Sequence, residues 1–357
     1  MEYTKLKYIN QYKSESINPR KTPDTVFEVY SVPIYETGHP EYLRGDEIAS
    51  NKIVVQKNDI LLCKINPRIN RVWVVSDESD RLNIASSEWI VIRNNEYNPE
   101  FLAWYFRTLK FQKLMISEVT GIGGSLTRAQ PKCVAEYPIP VLDRAKQNQI
   151  VDILNKCKFV IESRKQELLA LNKLIRARFV EMFGDPVSNS YELPEATLPE
   201  LGEFGRGVSK HRPRNDPRLL GGEYPLVQTG DVANASLYIM SYNSTYSELG
   251  LKQSKMWSKG TLCITIAANI AKTAILEFDA CFPDSVVGFI ANEKTNNIFI
   301  HYWFSFFQAI LESQAPESAQ KNINLKILSE LKVIVPEKEK QNEFVDFVHQ
   351  VNKSKVA

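Results

Sequence analysis

Lys146-Gln147-Asn148, followed by Ile150-Val151-Asp152-Ile153-Leu154, has an echo near the far end of the chain. There Lys340-Gln341-Asn342 is followed by Phe344-Val345-Asp346-Phe347-Val348. Each block comes after an apolar stretch that ends in proline, Tyr137-Pro138-Ile139-Pro140 in one case and Val333-Ile334-Val335-Pro336 in the other. Self-similarity at a fixed offset, here roughly two hundred residues, is the mark of a duplicated unit, and it governs the rest of the reading.

Working upstream from these blocks, further pairs keep the same order. Phe101-Leu102-Ala103-Trp104-Tyr105-Phe106 pairs with Phe299-Ile300-His301-Tyr302-Trp303-Phe304, an aromatic helix in each half. Glu88-Trp89-Ile90-Val91-Ile92 pairs with Val286-Val287-Gly288-Phe289-Ile290. Asn58-Asp59-Ile60-Leu61-Leu62-Cys63 pairs with Lys259-Gly260-Thr261-Leu262-Cys263-Ile264, a polar turn entering a buried strand. Gly45-Asp46 is matched with Gly230-Asp231. Strands do not alternate regularly with helices, so a doubly wound parallel sheet is not expected. The pattern predicts an α+β chain: two tandem globular domains with mixed or largely antiparallel sheets, a long coiled-coil-forming helix between them, and a short second helix at the C-terminus. The expected divisions are residues 1–142, 143–184, 185–336 and 337–357.

The inter-domain helix is legible from what it lacks. Residues 146–183 contain neither proline nor glycine, and Gly184-Asp185-Pro186 supplies the stop. Ile150, Leu154, Cys157, Ile161, Leu168, Leu171, Ile175 and Met182 fall on an alternating four-three spacing, with Arg164 and Arg178 at the two remaining seam positions. Such a seam must be buried against another helix. The C-terminal echo (Phe344, Val348, Val351) is short, so Ile150, Leu154, Ile161, Leu168, Leu171 and Ile175 are expected to dock a second protein. At about 1.5 Å per residue the helix is a rod of roughly 55 Å.

Composition excludes several classes of function. No apolar run is long enough for a bilayer, and the first residues carry no secretion-signal core, so a cytoplasmic protein is expected. Five scattered cysteines without C-x-x-C spacing and four histidines without H-x-x-x-H offer neither a disulfide framework nor a metal cluster. No metal, cofactor or catalytic residue is expected. The net charge of +2 does not by itself announce a nucleic-acid binder, so that reading must rest on where the charges sit.

They sit in loops. Lys64, Asn66, Arg68 and Arg71 follow the buried strand of the first copy, with Asn269 and Lys272 at the corresponding place in the second. Residues 206–218 gather Arg206, Lys210, His211, Arg212, Arg214 and Arg218 around the single acid Asp216. Lys and Arg neutralise phosphates, while Arg and Asn make paired hydrogen bonds to base edges. Arg128 and Lys321 lie in the polar loops before the last strand of each copy, and Thr229 and Asp231 in a tight turn. Asp231 has two readings, a turn cap or an acceptor for cytosine N4. Residues 121–130 (GIGGSLTRAQ) lack the G-K-[ST] of a phosphate-binding loop, and their counterpart has no glycine.

In order and kind, these features resemble the specificity subunits of type I restriction–modification systems. The resemblance is carried by the duplicated plan, the helix after each proline and K-Q-N block, Gly230-Asp231, the strand–turn around Lys259-Gly260-Thr261-Leu262, and Gln320-Lys321-Asn322-Ile323. It implies that each globular unit is a target recognition domain reading one half of a split double-stranded DNA site. It also implies that the helices dock modification subunits that methylate adenine N6 with S-adenosylmethionine, and that separate translocating subunits cut DNA. Two other readings compete. A coiled-coil adaptor without DNA contact accounts for the helix but not for the loop clusters. A self-contained enzyme finds no Asn/Asp-Pro-Pro-aromatic motif and only one E-x-K spacing, Glu330-Leu331-Lys332.

Overall fold

In each half of the chain, one fully buried strand organises a sheet. A computed structural model describes residues 2–76, 78–117, 119–120, 127–314 and 323–356. It divides into two compact units, Met1–Ser163 and Arg164–Ala357. In the first unit, Ile60–Cys63 lies between Val72–Val74 and Trp89–Ile92, antiparallel to both. In the second, Leu262–Thr265 lies between Thr273–Leu276 and Val286–Ala291, again antiparallel to both. These central strands are apolar on both faces, as strands covered on both sides must be.

The correspondence extends to single backbone bonds. Asn58 and Gly260, the residues two before each central strand, both take a left-handed conformation (φ 70° and 89°). Their amides donate to Val75 O and Leu276 O. The register is therefore one residue away from the sequence match of Asn58 with Lys259. A two-stranded ribbon closes each unit, Tyr3–Lys5 with Pro138–Pro140 and Glu195–Thr197 with Lys332–Ile334.

A second sheet lies in each unit. In the first its order is Ser16–Ile17, Lys52–Val54, Asn83–Ser86, Val26–Tyr30, Glu41–Arg44, with one parallel pair, Val26–Tyr30 against Asn83–Ser86. In the second, Leu220–Leu226 sits between Ser244–Tyr246 and Ala280–Cys281. These strands overturn one expected pairing. Gly45-Asp46 follows Glu41–Arg44, whose counterpart is Ser244–Tyr246, whereas Gly230-Asp231 lies inside the short helix Thr229–Asn234. The two Gly-Asp dipeptides therefore do not occupy equivalent places.

The K-Q-N blocks owe their repetition to a buried amide. Gln147 and Gln341 are 2% and 0% exposed. Gln147 donates from Nε2 to Leu142 O and accepts at Oε1 from the Asn98 amide. Gln341 donates to Pro336 O and Lys294 O and accepts from Thr295 Oγ1. In each unit one side chain thus ties the end of the last strand to the start of the aromatic helix. A buried polar group survives folding only when paired in this way.

The long helix runs Arg144–Phe183, and Gly184 ends it at φ 75°, where a side chain would meet Ser190 and Tyr191. Its start packs on the first unit through Val151, and its end enters the second unit's core through Ile175, Phe179 and Phe183. The C-terminal helix Lys338–Val356 packs antiparallel to that end: Arg178 bonds Glu343 (2.8 Å), and Arg164 donates to the Ser354 and Lys355 carbonyls. These contacts explain the two seam arginines: Arg164 meets the unpaired carbonyls and dipole at a helix C-terminus, and Arg178 pairs with the carboxylates of Glu343 and Glu181.

Packing also corrects the docking seam. Ile175 is fully buried and Leu171 lies against the same core, so neither is free for a second protein. Ile150, Leu154 and Leu168 are half-buried, and Ile161 is exposed. The most exposed apolar side chains of the helix, Phe159 (72%), Val160 (63%) and Ile153 (61%), lie off the expected seam. Among the described residues no helix is long and apolar enough to cross a membrane.

Candidate nucleic-acid interface

In the first unit the cationic loop is pinned at both ends. The Cys63 amide donates to Arg71 O (3.0 Å), closing the loop at its base. Inside it, Asn66 (φ 47°) and Asn70 (φ 50°) bracket a 3-10 turn, Pro67–Ile69. Asparagine tolerates the left-handed conformation better than most residues, and proline presets the turn between. Lys64 is held by its own backbone, which donates to Glu88 O and accepts from the Ala129 amide. Its ammonium reaches Ser87 O (2.7 Å).

The adjoining strand Arg128–Ala129 presents Arg128, which meets Glu88 through Nε and Nη2, each at 3.3 Å. Arg68 is exposed and Arg71 half-buried. The fold thus gathers Lys64, Arg68, Arg71 and Arg128 about one loop. Asn66 departs from expectation: its Oδ1 is enclosed, with no hydrogen-bond partner among the described residues, so this acceptor does not reach the surface.

In the second unit the cations of residues 206–218 are matched by acids. Asp216 accepts from Arg218 Nη2 at 2.7 Å and lies 3.1 Å from His211 Nε2. The Arg218 guanidinium holds the Asp216 carboxyl far below the usual carboxylate range. Arg212 donates to Ser209 O (2.6 Å) and reaches Asp284 at 3.5 Å, while Arg214 pairs with Asp284 at 2.6 Å. Asp284 is distant in sequence, so reading residues 206–218 alone could not include it. Lys210 is exposed, its amide and that of His211 bound by Gln253 Oε1. Ion pairs as exposed as those of Arg212 and Arg214 are weak, and a phosphate oxygen can replace the carboxylate.

These residues meet the loop after the central strand in a cleft lined by Arg206, Arg214, Thr229, Ala267, Ala268 and Ser285. Asn269 is exposed and Lys272 half-buried, and the Asn269 carbonyl accepts from Thr265 Oγ1. Lys321 lies outside the described residues. Asp231 acts as the cap of its helix: Oδ2 accepts from the Gln228 amide (2.8 Å) and Oδ1 from Asn243 Nδ2 (2.7 Å). Both oxygens are engaged, which leaves little of the carboxylate for a cytosine amine. Sequence reading missed Ser285 and the acid partners Glu88 and Asp284; no local signal marks them, because each arrives from another strand.

Cations on loops at the ends of central strands can bind a polyanion, with half-buried polar walls to orient it. Among the described residues no group of three or more His, Cys, Asp or Glu is placed to hold a metal.

The chain is similar to several known proteins. Residues 195–357 match the family described as the type I restriction modification DNA specificity domain. A putative type I restriction enzyme MjaX specificity subunit of Methanocaldococcus jannaschii is 21% identical over 323 residues, covering 87% of this chain and 75% of that protein. The S subunit of a type I restriction–modification system from M. genitalium superposes with a TM-score of 0.59 at 14% identity, over 99% of this chain and 90% of that one. A chain from a study of complex assembly and conformational transition in the type I R-M system gives 0.57 at 18% identity, with the same coverages. At such identities the two structures speak for a shared fold.

Proposed function

We propose that this chain, whose residues 195–357 match the type I restriction modification DNA specificity domain, is a non-catalytic specificity subunit that reads a bipartite double-stranded DNA site, one half with each unit. Residues 1–142 and 185–336 are the two target recognition domains in this reading, and the helix of residues 143–184 sets the gap between half-sites. The observation that carries it is the equivalence of the two loops after the central strands. The Lys64 carbonyl accepts from Ala129 N, and the Ile266 carbonyl, at the same place in the second unit, accepts from Ile323 N.

Lys64, Arg68, Arg71 and Arg128 bind DNA in the first unit; Lys210, His211, Arg212, Arg214, Thr229, Asn269 and Lys272 do so in the second. Exposed Ile161, with Ile153 and Val160 on the same side of the helix, offers an apolar face for modification subunits, which supply the adenine-N6 methylation; restriction subunits join the same complex. A chromosomal substrate places the protein in the cytoplasm. A map of N6-methyladenine in the host genome, with and without this gene, tests the proposal. Loss of methylation at one split motif is the expected result, and an unchanged map overturns it.

A further inference from the structure

The four arginines of residues 206–218 are not used alike. Arg212 turns Nη1 to the Ser209 and His211 carbonyls, and Arg218 clasps Asp216 through Nε and Nη2. Both of these guanidinium groups hold their own segment together. Arg206 is exposed on the cleft and has no hydrogen-bond or ion-pair partner among the described residues. Arg214 differs from all three. Its Nη2 alone meets the Asp284 carboxylate, 2.6 Å from Oδ1 and 2.8 Å from Oδ2, while Nε and Nη1 have no partner among the described residues. The side chain is thus fixed in direction and still has donors to offer to the cleft that it lines with Arg206 and Ser285.

A phosphate could take the place of this carboxylate, but the exchange would strand Asp284. Its Oδ1 is enclosed and accepts no hydrogen bond among the described residues, so the Arg214 charge beside it is what offsets it. Arg212 stands farther off, 3.5 Å from the other oxygen. Removing one partner from an enclosed charge costs more than an exposed pair contributes. The first unit repeats the plan with other residues. Glu88 and Ser285 are equivalent, since their carbonyls accept from the amides of Lys64 and Ile266. Glu88 takes Arg128 by both Nε and Nη2, which covers one whole edge of that guanidinium. Asp284, one residue before Ser285, holds Arg214 by a single nitrogen and leaves the rest of the fork open.

We propose that Arg214 is a specificity-determining residue that reads a guanine in the major groove, and that Asp284 is the residue that positions it. This rests on the DNA-reading role proposed above. Guanine presents two acceptors, N7 and O6, on its major-groove edge, which match the parallel donors of a planar guanidinium. Adenine presents one acceptor and one donor there, so a fixed arginine discriminates between them. Arg206, unheld on the same cleft, supplies a phosphate contact instead.

The test uses the chain with its modification subunits and duplexes carrying the split motif that the methylation map defines. Each guanine in turn is replaced by 7-deazaguanine, which lacks the N7 acceptor, and binding is read by fluorescence anisotropy. At one guanine, within one half of the motif, the replacement should weaken binding by the parent about tenfold. Arg214→Ala should already have lost that factor and be indifferent to the replacement there. Asp284→Asn should lose most of the discrimination at the same guanine with the dependence of log K on log salt unchanged. That nearly isosteric variant keeps the test open if Arg214→Ala fails to fold by circular dichroism. Arg206→Ala should weaken binding to all sequences alike and lower the salt dependence by about 1. Equal weakening of every sequence by Arg214→Ala, with the sensitivity to 7-deazaguanine intact, would make Arg214 a phosphate contact and overturn the proposal. A motif with no sensitive guanine overturns it as well, and full discrimination by Asp284→Asn overturns the positioning role. Absence of any gene-dependent motif is a different failure, that of the DNA-reading role itself, and takes this inference with it.

Discussion

The loop after the central strand carries Lys64, Arg68 and Arg71 in the first unit; in the second the same loop reads Ile266-Ala267-Ala268-Asn269-Ile270-Ala271-Lys272. The backbone brackets are nearly identical. Asn66 and Asn70 take left-handed conformations in one, Ala268 (φ 64°) and Ala271 (φ 56°) in the other. The second unit instead concentrates its cations on residues 206–218, a segment the cleft brings beside that loop. A duplicated scaffold therefore fixes where a loop sits, while leaving each copy free to choose which loop bears the charge. The aromatic helices differ in the same spirit: Phe179 and Phe183 pack against Phe299 in the second unit, while Trp104 of the first is half-buried.

The aromatic helices offer the strongest way to break this comparison. Phe179→Ala removes a fully buried ring from the second unit and should destabilise it by about 4 kcal/mol. Trp104→Ala, at a half-buried position, should cost the first unit only about 1 kcal/mol. Unit-resolved hydrogen exchange measures both, and equal losses would mean that the first aromatic helix is as well packed as the second.

The charge comparison comes next. Replacing Lys64, Arg68 and Arg71 together by alanine should weaken DNA binding about thirtyfold, near 2 kcal/mol, and flatten the dependence of log K on log salt by about 2 to 3. Lys272→Ala should reduce the slope by only about 1. Anisotropy titrations over a series of salt concentrations decide it, and unchanged slopes in folded protein would remove these loops from the interface.

Acid should separate the units more gently. His301, bonded through Nδ1 to Thr273 Oγ1, corresponds to Ala103 in the first unit. Burial pushes its pKa down from 6.5 to about 4. Between those values the unfolded chain binds a proton that the folded chain does not, so this contribution to stability is intact above about pH 6.5 and falls as pH drops toward 4. Discounted for the partial exposure of the residue, the second unit should lose about 1 kcal/mol more than the first on going from about pH 7 to 5. Hydrogen exchange at the two pH values reads the difference, and parallel behaviour of the units would contradict it. The smallest effect is expected from Ala268→Asn, which gives the second loop the first loop's answer to a left-handed residue. Thermal unfolding should show a gain of about 0.5 kcal/mol, and a loss would mean that the two brackets are not interchangeable.

Much of the architecture was legible before any coordinates. The Gln147 and Gln341 echo marked the duplication because a buried amide must be paired, and the same amide is needed twice. The long helix was legible because residues 146–183 offer nothing to stop it before Gly184. The Gly-Asp match failed for the opposite reason: two residues suited to turns recur by chance, and only strand pairing tells one turn from another. The seam failed in part because spacing reports which residues share a helix face, not what covers them. Ile175 is enclosed by the second unit's core, whereas Phe159 and Val160 stand exposed.

By itself the sequence determined what depends on neighbours along the chain: the repeated order of strands and helices, the helix stop, the turns, and the loops that hold the cations. Only the tertiary structure decided which acid faces which base, as Asp284 does Arg214 and Glu88 does Arg128, and that Asp231 spends its carboxylate on a helix cap. It alone decided which aromatic helix Phe179 and Phe183 cover. Charge pairing and burial act through space over a few ångströms, between residues that the chain separates by tens of positions, and periodicity carries no record of those distances.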